Sequence, residues 1–336
     1  MGEPRLAQHT RNSDSIRGEK GAPAFYVGTI PIYGDLVLAP MAGFSDLPFR
    51  VICREMGSAM SYSACITDVA VVHGGERTSQ ISDFVDAERP VALQLLGCRE
   101  TELLAAAEKL MEQRPDIIDL NMGCPARRVV GGGRGAALLS DLPLAGRLIR
   151  RLVDRLSVPV TAKIRLGWDA HTRNYLDVSR MLEDSGIALI AVHGRTRAQQ
   201  YSGQADWSAI AEVKQAVSVP VLANGDVRTV QDIDRIRAVT GCDGAMIGRG
   251  AIGNPWLFSR RPLADLTWPE RLALIRRHVL WMTHYYGERL GVVLFRKHVV
   301  KYVQGLPSAA QVRPTLLACE GVGELFATLE AWTPEL

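Results

Sequence analysis

The 336-residue chain has no apolar run approaching the ~18–20 residues that a membrane-spanning helix requires. Its first 24 residues are polar and carry no hydrophobic segment, so a secretory signal is excluded. Met1-Gly2 opens like a myristoylation site, but Leu6 stands where Ser or Thr is needed, and that reading fails. None of the 6 cysteines forms a Cys-x-x-Cys pair, which argues against a disulfide framework. There is no His-Glu-x-x-His and no Cys/His cluster with zinc spacing, so no metal is expected. Extreme composition is also missing: 47% of residues are apolar and 22% charged, which excludes disorder as the global state. These absences predict a soluble, cytoplasmic protein with no membrane contact and no obligate protein partner.

What is present is a regular beat. Apolar runs occur at Leu36–Ala39, Ala59–Ser63, Pro90–Leu95, Ile117–Asn121, Val158–Ile164, Ala188–Val192, Val219–Ala223 and Asp243–Ile247. Most are continuous rather than alternating, as strands buried on both faces are. Helical patterns separate them at Glu100–Gln113, Pro143–Leu156, Tyr175–Asp184, Trp207–Val217 and Thr229–Val239. Thr229 followed by Asp232 marks a helix start. Eight such beats predict an α/β fold, a (β/α)8 TIM barrel over residues 26–255. Beyond Asn254-Pro255 the strand pattern stops. Helices are predicted at Trp268–Tyr286, Leu294–Gln304 and Leu316–Leu329, making residues 256–336 a C-terminal all-helical domain. Residues 1–25 are expected to be a disordered tail.

Charge is uneven. From Arg260 to Arg313 there are 10 Lys/Arg against 3 Asp/Glu, an excess of +7 in a chain of net charge +3. Such a segment is a candidate surface for a polyanion.

Seven of the eight strands run into a chemically capable residue or a glycine turn. These are Pro40-Met41-Ala42-Gly43, Gln94, Asn121-Met122-Gly123-Cys124, Lys163-Ile164-Arg165, His193-Gly194-Arg195-Thr196, Asn224-Gly225-Asp226 and Gly248-Arg249-Gly250. In a barrel these meet at the carboxyl end of the strands, where active sites lie. Gly248–Gly253 fits the dinucleotide fingerprint, but no further parallel strand follows and Asn254-Pro255 interrupts the helix it should open. The same loops fit the phosphate site that barrels build after strands seven and eight. A phosphorylated ring cofactor over the mouth would take a cation from Lys163, amide partners from Gln94 and a flat backbone from Pro40-Met41. These demands match flavin mononucleotide (FMN). Gln94 also fits an ordinary buried amide.

Cys124 lies between Gly123 and Pro125 just past a strand end, with a glycine-rich, mobile loop expected behind it. That setting suits a thiol presented to substrate as an acid or nucleophile. Cys53, Cys98, Cys242 and Cys319 read as inert, and Cys65 as ambiguous. His193 fits a general acid, a ring or phosphate contact, or a satisfied core histidine.

At these residues the chain resembles the tRNA-dihydrouridine synthases of bacteria. The matching runs include Leu38–Arg50, Asp119–Pro125, Lys163–Trp168, Val192–Arg197, Tyr201–Trp207, Asn224–Asp226 and Ile247–Gly250, with Phe295–His298 and Tyr302 in the helical part. The resemblance implies NADPH-driven, FMN-mediated reduction of a uracil C5–C6 bond in tRNA. It implies Cys124 as the acid that protonates C5. It implies flavin contacts from Pro40, Met41, Gln94, Lys163, His193, Asn224, Asp226, Gly248 and Arg249. Asn121, Arg165 and Arg197 would meet the substrate, with Lys297, His298 and Tyr302 on the tRNA side. One departure stands out: Ala64-Cys65-Ile66 replaces the Glu-Met-Val run of many family members after the second strand. Two other functions fit less of the sequence. A flavin barrel reducing a free enone or pyrimidine leaves the basic segment idle, and an RNA-binding protein on an inactive barrel leaves Lys163, His193 and Cys124 unexplained.

Overall fold

The computed structural model describes residues 21–332 and Pro334. The tail expected over 1–25 lies, for residues 1–20, outside the described residues, and Phe25 already opens a strand.

A hairpin of β1 (Phe25–Val27) and β2 (Ile30–Ile32) comes first. The barrel strands follow: β3 (Leu36–Leu38), β4 (Ser61–Tyr62), β5 (Ile66–Thr67), β6 (Val91–Leu96), β7 (Ile117–Met122), β8 (Val160–Arg165), β9 (Leu189–His193), β10 (Val221–Asn224) and β11 (Gly244–Ile247). The ladder runs β3-β11-β10-β9-β8-β7-β6-β4. Its pairings are parallel. Between β3 and the second strand the Ala59 N–H donates to the Leu36 carbonyl at 2.7 Å, and the Leu38 N–H to the Ser58 hydroxyl at 3.0 Å. This is the expected eightfold barrel, nearly closed. The second strand is split: β5 also pairs with β6, and the departure at Ala64-Cys65 falls in the gap.

The hairpin was not expected. Its Phe25, Val27 and Ile32 pack against Ile117, Leu189 and Leu222. They therefore plug the amino end of the barrel and leave the carboxyl end for chemistry.

Helices Glu100–Met111, Leu142–Arg155, Tyr175–Asp184, Trp207–Ala216 and Val230–Thr240 lie where the apolar periodicity put them. Thr229 and Asp232 form a reciprocal capping box. Helices Leu47–Glu55, Asp68–His73 and Glu76–Ser82 add to the expected set.

From Trp268 every strand has ended. Helix Trp268–Tyr286 has the expected bounds, but the next runs Glu288–Tyr302, starting six residues before Leu294. The expected Leu316–Leu329 helix is two, Ala309–Ala318 and Val322–Ala331. The Arg296 guanidinium donates to the Cys319 carbonyl at 2.7 Å, satisfying the end of the first of them. These helices form a second apolar core that includes Ile52 of the first barrel helix and Trp256.

The junction between the two cores is polar. The Tyr285 hydroxyl lies 3.0 Å from Asp83, and Arg277 pairs with Glu55 at 2.8 Å. His278 stacks on Phe49 at 5.6 Å, and His298 meets the edge of Phe44 at 5.3 Å. Polar atoms of Asp46, His278 and His298 lie within 4.8 Å of one another. Among the described residues no helix is long and apolar enough to cross a membrane.

Candidate active site

A cavity of about 410 Å³ opens at the carboxyl ends of the strands, within the ~300–1,000 Å³ of small-molecule sites. Pro40 and Met41 enter after β3, Asn121 and Cys124 at and after β7, and Lys163 and Arg165 from β8. His193 comes from β9, Asn224 and Asp226 from β10, and Gly248 and Arg249 follow β11. The barrel register explains the convergence: Asn121 pairs with Lys163, Arg165 with His193, and His193 with Asn224.

The cavity is cationic. Lys163, Arg165, Arg228 and Arg249 line it against one carboxylate, Asp226. Lys163 donates to Asn224 Oδ1 at 2.8 Å, and its ammonium is pushed down to about 7 by burial and then by Arg165. His193 is held far below its ordinary pKa by burial and by Lys163, Arg165, Arg195 and Arg249. It is neutral at physiological pH. Arg195 lies 3.3 Å from its Nε2 and can only donate, so the ring proton sits on Nδ1.

The loops after β10 and β11 pack closely. A Cβ at Gly250 would lie 2.2 Å from the Val227 carbonyl oxygen, so only glycine fits. Asp226 is partly buried, yet Arg195, at 2.6 Å, holds its carboxyl below the usual range.

Cys124 is pinned from both sides. Its N–H donates to Asn121 Oδ1 at 2.9 Å, and its carbonyl accepts from Ala136 at 3.1 Å. Gly135 has φ +61°, and a Cβ there would lie 2.8 Å from the Cys124 oxygen. The loop between them was expected to be mobile. It is tied instead by Arg134 to the buried Asp68 at 3.2 Å and by the Cys98 thiol to the Gly132 carbonyl at 3.2 Å.

Five expected site residues do not line the cavity. Gln94 is fully buried beneath it, bonded to Asp119 and Asn121. Arg197 lies over the Trp168 ring at 4.4 Å. Lys297 sits at the rim, 5.4 Å from the centre of the Phe44 ring. His298 and Tyr302 are 0% and 2% exposed, the first buried at the junction with the barrel and the second in the helical core, so the expected RNA contact is corrected for both. Their spacing with Phe295 and Val299 follows the inward helical stripe. Arg165 lines the cavity but spends its guanidinium on the carbonyls of Gly123, Thr196 and Gln200 at 2.7, 3.0 and 2.9 Å.

Sequence reasoning assigned no role to Tyr201, Arg195 or Asp119. Tyr201 is 54% exposed at the mouth, with Arg249 4.3 Å from its ring centre. Cys65, left ambiguous, faces the same cavity as Cys124.

The family model for dihydrouridine synthases matches residues 37–335. The "tRNA-dihydrouridine synthase B" of Pseudomonas aeruginosa is 39% identical over 320 residues, covering 90% of this chain and 95% of that one. The "Probable tRNA-dihydrouridine synthase" of Rickettsia prowazekii is 38% identical over 302 residues, covering 86% and 91%. Among solved structures, a 2-naphthoyl-CoA reductase shares the fold with TM-score 0.56 at 10% identity, over 69% of this chain and 50% of that one. A barrel enzyme of this architecture, with a thiol loop facing cationic strand ends, is thus matched along nearly its whole described length. The chain belongs to the dihydrouridine synthase family.

Proposed function

We propose that this chain reduces the C5–C6 double bond of uridines in tRNA, using FMN as cofactor and NADPH as reductant, in the cytoplasm. One observation carries the reading. In the ladder order β7 stands opposite β11, so the Cys124 loop faces the Gly248–Gly250 loop across a cation-lined cavity.

The residues suit a flavin phosphate and ring. Gly248, Arg249, Gly250 and Arg228 would hold the phosphate, through backbone amides and guanidinium charge. Lys163, a partly buried cation whose hydrogen-bond partner is the neutral Asn224, would meet the electron-rich ring edge. Neutral His193 would donate from Nδ1 without adding charge. When bound, the flavin supplies the hydride that C6 of uracil receives, and NADPH restores it.

The remaining work falls to the chain. Cys124 delivers a proton from its Sγ to C5, on the side away from the hydride. Asn121 fixes the backbone that carries that thiol. Tyr201 offers an exposed ring on which an extruded base can stack. Extrusion costs a few kcal/mol, which contacts spread over the RNA backbone offset. Residues 26–255 would then form the flavin barrel and 256–336 the tRNA-docking unit, with Lys297 at the boundary.

NADPH oxidation by the purified protein tests this directly. Stimulation by unmodified tRNA and not by free uridine is the expected result. Equal stimulation by free uridine would transfer the reading to a small-molecule flavin reductase.

A further inference from the structure

We propose that Asp119 is a positioning residue: its buried carboxylate sets the orientation of the Gln94 and Asn121 amides, and through them holds the Cys124 backbone at the cavity wall. The inference rests on the reading of Cys124 as the proton donor, and it concerns how that thiol is placed.

Four hydrogen-bonded links run in one line. The Thr161 hydroxyl donates to Asp119 Oδ1 at 2.6 Å, and Gln94 Nε2 donates to Asp119 Oδ2 at 2.7 Å. Asn121 Nδ2 donates to Gln94 Oε1 at 2.8 Å. Asn121 Oδ1 accepts from the backbone N–H groups of Gly123 and Cys124 at 3.1 and 2.9 Å. Gln94, Asp119 and Thr161 are 0% exposed, so bulk water cannot substitute for any of these partners.

The polarity of this line is fixed at both ends. Backbone N–H groups only donate, so Asn121 must turn its oxygen to them and its NH2 to Gln94. Gln94 must then present its oxygen to Asn121 and its NH2 downward. The group below must accept, and an ionised carboxylate does nothing else. With an acceptor at one end and donors at the other, neither amide can flip without setting two like ends against each other.

The ladder puts these side chains together. Gln94 on β6, Asp119 on β7 and Thr161 on β8 are register partners across three adjacent strands. Asn121 and Lys163 pair one layer nearer the mouth. Barrel interiors are ordinarily filled by bulky aliphatic layers. A polar layer here costs desolvation of a carboxylate. Two charge-assisted hydrogen bonds and the field of Lys163 offset part of that cost, and burial still leaves the carboxyl raised to about 6.

Two variants cut the line at different links. Asp119→Leu removes the acceptor, and Gln94→Met removes both amide ends at similar length. Each is expected to slow single-turnover reduction of tRNA by up to about 100-fold, the scale of an ångström-level misplacement. For Asp119→Leu the flavin content, flavin reduction by NADPH and the KM for tRNA should hold, and the Gln94→Met rate is read per bound flavin. The rate of Cys124 alkylation by iodoacetamide, read by peptide mass spectrometry on the flavin-loaded enzyme, should change in both. The double variant should be no slower than the slower single one, because the line is already cut. Asp119→Asn should restore most of the rate, since its oxygen can face Gln94 while its NH2 faces the Thr161 hydroxyl. Additive losses in the double variant, or an unchanged alkylation rate in Gln94→Met, would overturn the proposal. If Asp119→Leu does not fold, Gln94→Met with Asp119→Asn carries the test. Full activity in Cys124→Ala would instead remove the acid role of the thiol, and the alkylation rates would still report its placement.

Discussion

Cys124 and Lys163 divide the proposed chemistry, and each makes a separate prediction. Cys124→Ala should keep its flavin and its oxidation of NADPH, yet lose about 10²–10⁴-fold in tRNA reduction, the effect of removing one positioned acid. Cys124→Ser should be nearly as slow. His193 is the competing candidate, but burial and the neighbouring Lys163, Arg165, Arg195 and Arg249 disfavour its protonated form. Near-wild-type single-turnover rates in both variants would remove the thiol from the mechanism. Lys163 predicts a pH dependence of binding. In the ligand-free protein its ammonium titrates at about 7, lowered by burial and by Arg165. An anion bound beside it raises that value, so binding above pH 7 takes up a proton. Flavin affinity should therefore be flat below about pH 7 and fall above it, by up to about tenfold per pH unit. Flavin titrations followed by fluorescence quenching would read this, and Lys163→Met should abolish the slope. A wild-type affinity that does not change between pH 7 and 9 would contradict it.

Among the elements, the basic helical segment is less free than its charge count. Arg260 pairs with Asp35 at 2.8 Å, Arg261 with Glu270 at 2.8 Å, and Arg277 with Glu55 at 2.8 Å. Arg276 pairs with Glu330. Arg289, Lys301 and Arg313 are exposed and have no carboxylate partner among the described residues. Reversing those three should weaken tRNA binding and flatten its dependence on salt by about one logarithmic unit of slope per lost phosphate contact. Arg276→Glu and Arg277→Glu should act on the melting temperature more than on tRNA affinity, each by the ~0–1 kcal/mol of an exposed pair. Filter-binding titrations at several salt concentrations, with thermal melts alongside, separate the two groups. Equal loss of affinity from both would show that pairing does not decide which cations meet RNA. The same contrast explains what was legible in the sequence. Strands buried on both faces announce themselves as apolar runs, and parallel topology then gathers their carboxyl ends, so most of the cavity could be read. A residue's partners could not. Gln94 and Arg165 bear the right groups, but their hydrogen bonds go to neighbours brought in by the fold. His298 and Tyr302 lie on an inward stripe that Phe295 and Val299 already marked. Three-residue strands such as β1 and β2 are too short to carry any period.

For the whole molecule, the buried titratable groups make folding stability depend on pH in a direction that can be worked out. His278 titrates at about 3, pushed down by burial and by Lys297 and Arg277, and His298 and His193 are also held well below 6.5. As pH falls through 6.5 the unfolded chain binds a proton on each of these three while the folded protein does not, so each histidine makes stability fall. Asp46 and Asp119 oppose this. Burial raises both to about 6, so between pH 6 and 3.8 the folded state holds protons that the unfolded state lacks. Three histidines against two carboxyls leave a net loss of about one proton, or about 1.4 kcal/mol per pH unit, between pH 6 and 4. The depressed carboxyls of Glu270, Asp169, Asp206 and Asp226 add their loss below about pH 4.5. His278 and His298 pack between the helical core and Phe44 and Phe49 of the barrel, so acid should loosen this junction. Thermal unfolding from pH 7 to 4.5 should show a falling melting temperature. His278→Leu removes one proton from the unfolded side, and its stability should be nearly independent of pH between 6 and 4, despite a lower value at neutrality from the lost contact with Tyr302 at 3.0 Å. A variant slope equal to that of the wild type would show that His278 takes up its proton in the folded state and that the junction does not sense acid.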